Sequence, residues 1–232
     1  MEKLKLYLSE GLGLGIFMFS AGFFSILIEH PDFYVREIIT IDIIRRFFIG
    51  LTMGLTALFI IHSSFGKKSG AHINPAVTLT FLRLNHISKK DAFFYIIFQF
   101  LGGSLGLYLI SVLMPESIKH PLINYIITIP GKEGLGLAFL LEFIISFFLI
   151  LTVLVTSAHS ILSKYTSYCV AALITLYITF EAPYSGMSMN PARTFSSAIV
   201  ANVWTDFWIY CIAPVLAMLS AGEVWLRFLK KK

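Results

Sequence analysis

Two polar stretches interrupt this otherwise apolar sequence with the same residue types. The first reads SGAHINPAVTL from Ser69, and the second reads SGMSMNPARTF from Ser185. Asparagine is a favoured N-cap, and proline is favoured in the first helical turn because it has no N–H that would be left unpaired there. Each stretch therefore predicts the start of a short helix, over residues 75–85 and 191–201.

The chemistry that these side chains offer is hydrogen bonding to a small molecule. Asn74 and Asn190 carry amide donors for an oxygen atom, and Arg193 adds a permanent cation directly after the second motif. An arginine in an apolar segment is costly and indicates a function. The alternatives without a function are that the asparagines are ordinary N-caps in surface loops and that the arginine extends to the membrane surface. The other motif residues are expected to start the helices and let their tips pack closely: Pro75, Ala76, Pro191 and Ala192.

The composition indicates an integral membrane protein. Of the 232 residues, 57% are hydrophobic and 13% are charged, whereas soluble domains average about 25% charged residues. The apolar runs are continuous rather than alternating, which favours helices over a barrel. An all-α fold follows, with six membrane spans over residues 6–28, 43–64, 92–114, 135–158, 165–182 and 205–228.

The two motifs also indicate an internal duplication. Asn74 and Asn190 are 116 residues apart, half the length of the chain. The predicted repeats are residues 1–114 and 115–232, forming one integrated domain. Three spans in each repeat make the repeats inverted, so the short helices enter from opposite faces as re-entrant half-helices. Their positive N-termini would then meet near the midplane, where such folds build a central site.

The loop charges predict the orientation. With both termini in the cytoplasm, twelve of the eighteen basic residues lie on the inner side and six on the outer side, in agreement with the positive-inside rule. The basic residues are not gathered on one surface, so no nucleic-acid partner is expected. The first apolar segment could be a secretory signal, but its length and Glu10 favour a retained span. We therefore expect a multi-pass protein of the plasma (cell inner) membrane.

The paired SG-x-x-x-NPA motifs, with arginine after the second, resemble the aquaporin family over nearly the whole chain. The resemblance implies a passive channel that conducts water and excludes protons and ions, with no cofactor, no metal and no enzymatic activity. It also implies a homotetramer surrounded by lipid. In the family, Arg193 would line the outer constriction, and Glu10 and Glu142 would be buried acceptors for the backbone of the re-entrant loops. His72 would line the cytoplasmic vestibule or bond a loop.

The constriction departs from the pattern of strict water channels. Met53 stands where the family has an aromatic residue, and Ile178 stands where it has a histidine. Met187 fills the loop position and offers its backbone carbonyl. These apolar residues favour passage of neutral solutes such as glycerol, but Thr194 replaces the aspartate usual in glycerol facilitators. A glycerol facilitator therefore remains the alternative function.

Two other classes fit less well. A secondary transporter also uses inverted repeats and broken helices, but it would need carboxylates near its centre. We expect Glu10 and Glu142 toward span ends and no acid around the two NPA motifs. An enzyme would need convergent nucleophiles or metal ligands, which the sequence does not suggest. Gln99, followed by small residues, is expected to pack the third span closely against its neighbour: Gly102, Gly103 and Gly106.

Overall fold

The computed structural model describes residues 2–230, which are almost entirely helical and contain no strand in that range. Its α-helices are, in chain order, α1 (Glu2–Glu29), α2 (Tyr34–Ile38), α3 (Asp42–His62), α4 (Ser64–Ser69), α5 (Pro75–Arg83), α6 (Lys89–Leu113), α7 (Pro115–Lys119), α8 (Leu135–Ala158), α9 (Thr166–Phe180), α10 (Ala182–Ser185), α11 (Pro191–Ala201) and α12 (Phe207–Val224). A π-helical turn, Trp225–Leu229, continues α12.

Six helices occupy the predicted spans, which confirms the all-α membrane fold. Five of them are long and apolar enough to cross a bilayer: α1, α3, α6, α8 and α12 with its π turn. The fifth span, α9, has 15 residues and is therefore about 22 Å long, less than the roughly 30 Å of a hydrocarbon core. The short helix α10 continues the chain beyond it.

The two NPA stretches form half-helices close to their predicted bounds. α11 covers the predicted residues, whereas α5 ends two residues early at Arg83. Asn85 follows with φ of 61°, a left-handed conformation that commonly ends helices. Each half-helix packs on a span of the other half of the chain, α5 on α12 and α11 on α6.

The helix pairs repeat between the two halves. α1 packs along α6, α8 packs along α12, and α3 of the first half packs against α9 of the second. The glycines of α6 make the first pairing close, as expected: a Cβ on Gly102 would collide with the backbone of Gly11, and one on Gly106 with that of Gly15. The backbones of α1 and α6 are therefore in direct contact at these positions.

Candidate pore

One cavity of about 630 Å³ runs through the helix bundle, and both NPA loops line it. Lys67 and Lys164 line it beyond the C-terminal end of α3, and Arg46 lines it near the start of α3. Most of the wall between these ends is aliphatic, from residues such as Val77 and Val153. The chain therefore encloses a mostly apolar passage with cationic residues near both ends.

The tips of the half-helices are joined by two reciprocal hydrogen bonds. Asn74 Nδ2 donates to the Met189 carbonyl at 2.7 Å, and Asn190 Nδ2 donates to the Ile73 carbonyl at 2.8 Å. The Oδ1 atom of each asparagine accepts from the backbone N–H two residues later, at 2.8 Å and 3.1 Å. Each asparagine therefore caps its own helix and bonds the loop of the other.

These bonds leave each asparagine with one amide hydrogen to offer. A side-chain amide has two N–H groups, and one is used by the carbonyl across the junction. Asn74 and Asn190 both line the cavity, where two positive helix N-termini also meet. The junction can therefore present two donors to the oxygen of one molecule.

The residues before each NPA motif share an unusual backbone conformation. Positive φ angles occur at the same positions of both loops, namely at Gly70, Ala71 and Ile73 and at Gly186, Met187 and Met189. Left-handed conformations are unfavourable for residues with a Cβ atom. Both loops therefore carry the same local cost, and both line the cavity with unwound backbone.

Glu10 anchors the first loop. Its carboxylate accepts from the backbone N–H of His72 at 3.0 Å and of Ile73 at 2.6 Å. Gln99 Nε2 donates to the same carboxylate at 2.7 Å. Gln99 was expected to act only in helix packing, and this hydrogen bond is a second function that the sequence did not indicate.

Glu142 anchors the second loop in the same way. It accepts from the N–H groups of Ser188 and Met189, both at 2.7 Å, and from the Ser185 hydroxyl at 2.8 Å. Both glutamates are fully buried. Each carboxylate thus binds the two backbone groups that precede an NPA asparagine.

The glutamates lie deeper than the sequence suggested. Glu10 is eight residues into α1 and Glu142 is seven residues into α8, about 10–12 Å from the helix starts. The expectation that they lie toward span ends was wrong, as was the expectation that no acid lies near the NPA motifs. Polar residues at the start of α1 continue the helix and shift Glu10 inward. Depth alone therefore does not exclude a transporter, but both carboxylates are occupied by loop donors.

Arg193 lines the cavity and is held by a loop. Its Nη1 donates to the Ile126 carbonyl at 2.8 Å. Ile126 follows two residues that, like itself, have positive φ angles, and this left-handed turn lies between α7 and α8. Arg46 also lines the cavity, and its Nε donates to the Thr179 carbonyl at 3.2 Å. From the sequence, Arg46 was predicted only to be one of the six basic residues on the outer side of the membrane.

The expected constriction residues line the same cavity. Met53, Ile178 and Met187 all do so with Arg193, and the Met53 and Met187 side chains are buried. Because the three are aliphatic or thioether side chains, Arg193 supplies the only permanent charge among them. The structure therefore brings the four residues to one passage.

His72 lines the cavity, and its ring bonds a residue of the half-helix α5 rather than of a loop. Its Nδ1 lies 3.2 Å from Thr78 Oγ1, and its ring stacks on Phe81. Beside the second NPA motif, the Ser188 hydroxyl bonds Thr194 Oγ1. The signal for these threonines was the shared NPA-x-T spacing.

Fold and site define a polytopic helical membrane protein with two re-entrant half-helices meeting in an internal passage. The sequence profile of the family described as Major intrinsic protein matches residues 1–225. The chain belongs to the major intrinsic protein family.

Similar proteins agree with that assignment. Aquaporin-4 of Mus musculus is 32% identical over 179 residues, covering 76% of this chain and 54% of that one. Aquaporin NIP6-1 of Arabidopsis thaliana is 36% identical over 172 residues, covering 73% and 54%. The chain thus spans about half the length of these relatives. The X-ray structure of the aquaglyceroporin from Plasmodium falciparum matches in fold, with a TM-score of 0.82, 22% identity and coverage of 98% and 97%.

Proposed function

We propose that this protein is a passive membrane channel that conducts water, together with small neutral solutes, and excludes protons and ions. The observation that carries the proposal is the asparagine junction inside the cavity. A water molecule at the junction accepts hydrogen bonds from Asn74 and Asn190 and so cannot pass a proton along a chain of waters there. Helix N-termini and Arg193 add positive potential that opposes cations.

The apolar constriction supports the neutral-solute part of the proposal. Met53 and Ile178 carry no donor or acceptor that a solute hydroxyl must match, and both face the passage. The second candidate, a glycerol facilitator, rests on the same two residues. Arg193 Nη1 is held by a carbonyl, so the remaining guanidinium donors serve the passing molecule.

The arrangement in the membrane is part of the proposal. The two halves, residues 1–114 and 115–232, form inverted repeats, as the reciprocal asparagine bonds and matching loop conformations support. Both termini lie in the cytoplasm of a cell whose plasma membrane holds the protein. Four copies assemble, as the resemblance to the family implies, and each has its own pore because one chain supplies the cavity wall.

Stopped-flow light scattering on proteoliposomes tests the function. Shrinkage in sucrose reports water permeability, and re-swelling in glycerol reports solute permeability. We expect water flux well above the lipid background, independent of any ion gradient, and measurable glycerol entry. Water and glycerol fluxes that both equal the lipid background would refute the channel. A flux that saturates and needs an ion gradient would favour a transporter.

Arg193→Ala tests the constriction, with Arg227→Ala as the matched control on an exposed side chain. We expect the Arg193 variant to keep water flux, to admit glycerol faster and to leak protons in a pH-jump assay. The control should match the unaltered protein in all three measurements. If the two variants gave the same water flux, glycerol entry and proton leak, Arg193 would not be part of the proposed constriction.

A further inference from the structure

A second, open groove lies on the outside of the bundle, between α1 and α6. It has a volume of about 520 Å³ and is lined only by apolar residues. Its floor is the line of contact between Gly11 and Gly102, and exposed leucines form its walls. Leu12 is 52% exposed and Leu105 is 65% exposed, so each presents its side chain to the surroundings.

The groove has the length of one membrane leaflet. It runs from Leu8 to Phe19 along α1, which at 1.5 Å per residue is about 16 Å, roughly half of a 30 Å hydrocarbon core. Dividing 520 Å³ by this length gives a cross-section of about 30 Å², or a width of about 6 Å. A helix with side chains is about 10–12 Å across, so the groove suits a hydrocarbon chain better than a helix.

Two exposed lysines precede the groove on its two helices. Lys5 lies one turn before Leu8, the first groove residue on α1, and Lys90 lies eight residues, or about 12 Å, before Phe98, the first on α6. At 100° per residue, each lysine lies on the helix face that carries the groove residues. Neither lysine has an ion pair within the described residues, whereas Lys3 is paired with Asp91 at 2.9 Å. Lys5 and Lys90 therefore offer positive charge that a lysine side chain can extend toward the N-terminal end of the groove.

We propose that this groove binds an anionic phospholipid of the cytoplasmic leaflet, with one acyl chain between the leucines and the phosphate at Lys5 and Lys90. The site lies outside the pore and goes beyond the proposed function, from which it takes only the orientation of the N-terminus. In that orientation the lysines face the leaflet that carries anionic lipids. A free phosphate would leave the apolar groove unfilled.

Native mass spectrometry of the purified full-length protein tests the site with phosphatidylglycerol and phosphatidylcholine of identical chains. We expect phosphatidylglycerol to be retained more tightly. The double variant Lys5→Gln/Lys90→Gln should lose about 25-fold in that preference, since each lysine near an anionic surface contributes about fivefold. Lys68→Gln/Lys132→Gln removes the same charge elsewhere and should keep the preference.

A second measurement uses a variant in which tryptophan side chains fill the groove. Leu12→Trp/Leu105→Trp should lower the retention of both lipids without changing the number of copies in the assembly. Equal retention of the two lipids by the unaltered protein would overturn the proposal, as would equal losses in the two lysine variants. An altered copy number with unchanged lipid retention would show that the groove is a contact between copies. Retention is measured by mass, so these results do not depend on conduction.

Discussion

Replacing Glu142 by glutamine tests whether the buried carboxylates hold the pore loops. The carboxylate accepts Ser188 N–H on one oxygen and Met189 N–H on the other. Glutamine keeps one oxygen and places an NH₂ group at the second position. Whichever way the amide is turned, one backbone N–H then faces another donor and loses its partner.

The expected destabilisation follows from these contacts. An orphaned buried N–H costs about 1–3 kcal/mol, and bonds that lose a charged acceptor weaken by about 1 kcal/mol each. With three accepted bonds at Glu142, the sum is about 3–5 kcal/mol. At about 2–4 °C per kcal/mol for a chain of this size, the unfolding midpoint should fall by about 10 °C.

The assay is thermal unfolding in detergent at one fixed scan rate, paired with water permeability in proteoliposomes. Glu10→Gln should behave like Glu142→Gln, because Glu10 also bonds two loop N–H groups through different oxygens. Glu116→Gln is the control, since its side chain is 90% exposed. If Glu142→Gln unfolds at the temperature of the control and conducts normally, the carboxylates do not hold the loops and the reasoning fails.

Two further predictions concern other sites. Cys169 and Cys211 do not line the described cavity, so mercurials should block water flux only weakly, and strong block abolished by Cys169→Ser or Cys211→Ser would contradict this. Ile178→His should slow glycerol entry relative to water in stopped-flow, because it replaces an aliphatic side chain in the passage with a polar, hydrogen-bonding ring, and an unchanged flux ratio would count against the proposed constriction.

The half-helices could be predicted from the sequence because their signals are local, whereas the inverted repeat stays a prediction. Asn-Pro fixes a helix start within two residues, and continuous apolar runs identify the spans. The helix starts were harder to predict, since three of the four residues from Glu2 to Lys5 are charged and yet helical. That error carried over to the depth of Glu10, which depends on where the helix begins.

Contacts between residues that are far apart in the chain could not be predicted from the sequence. The carbonyl that holds Arg193 belongs to Ile126, in a left-handed turn that no residue pattern marks. The reciprocal bonds of Asn74 and Asn190 were also missed, because the sequence shows that an amide is present and not which carbonyl it meets. Arg46 was read as a surface charge since its distance to the passage depends on the tilt of α3.

The reciprocal asparagine bonds also bear on how the protein is made. Asn74 donates to the carbonyl of Met189, and this partner is synthesised 115 residues later. At about 5–20 residues per second, the first loop waits on the order of 10 s before its partner exists. Its unwound backbone needs protein or water around it during that time. We therefore expect the centre of the channel to close last during biosynthesis, with the translocation machinery sheltering the first half until the second arrives.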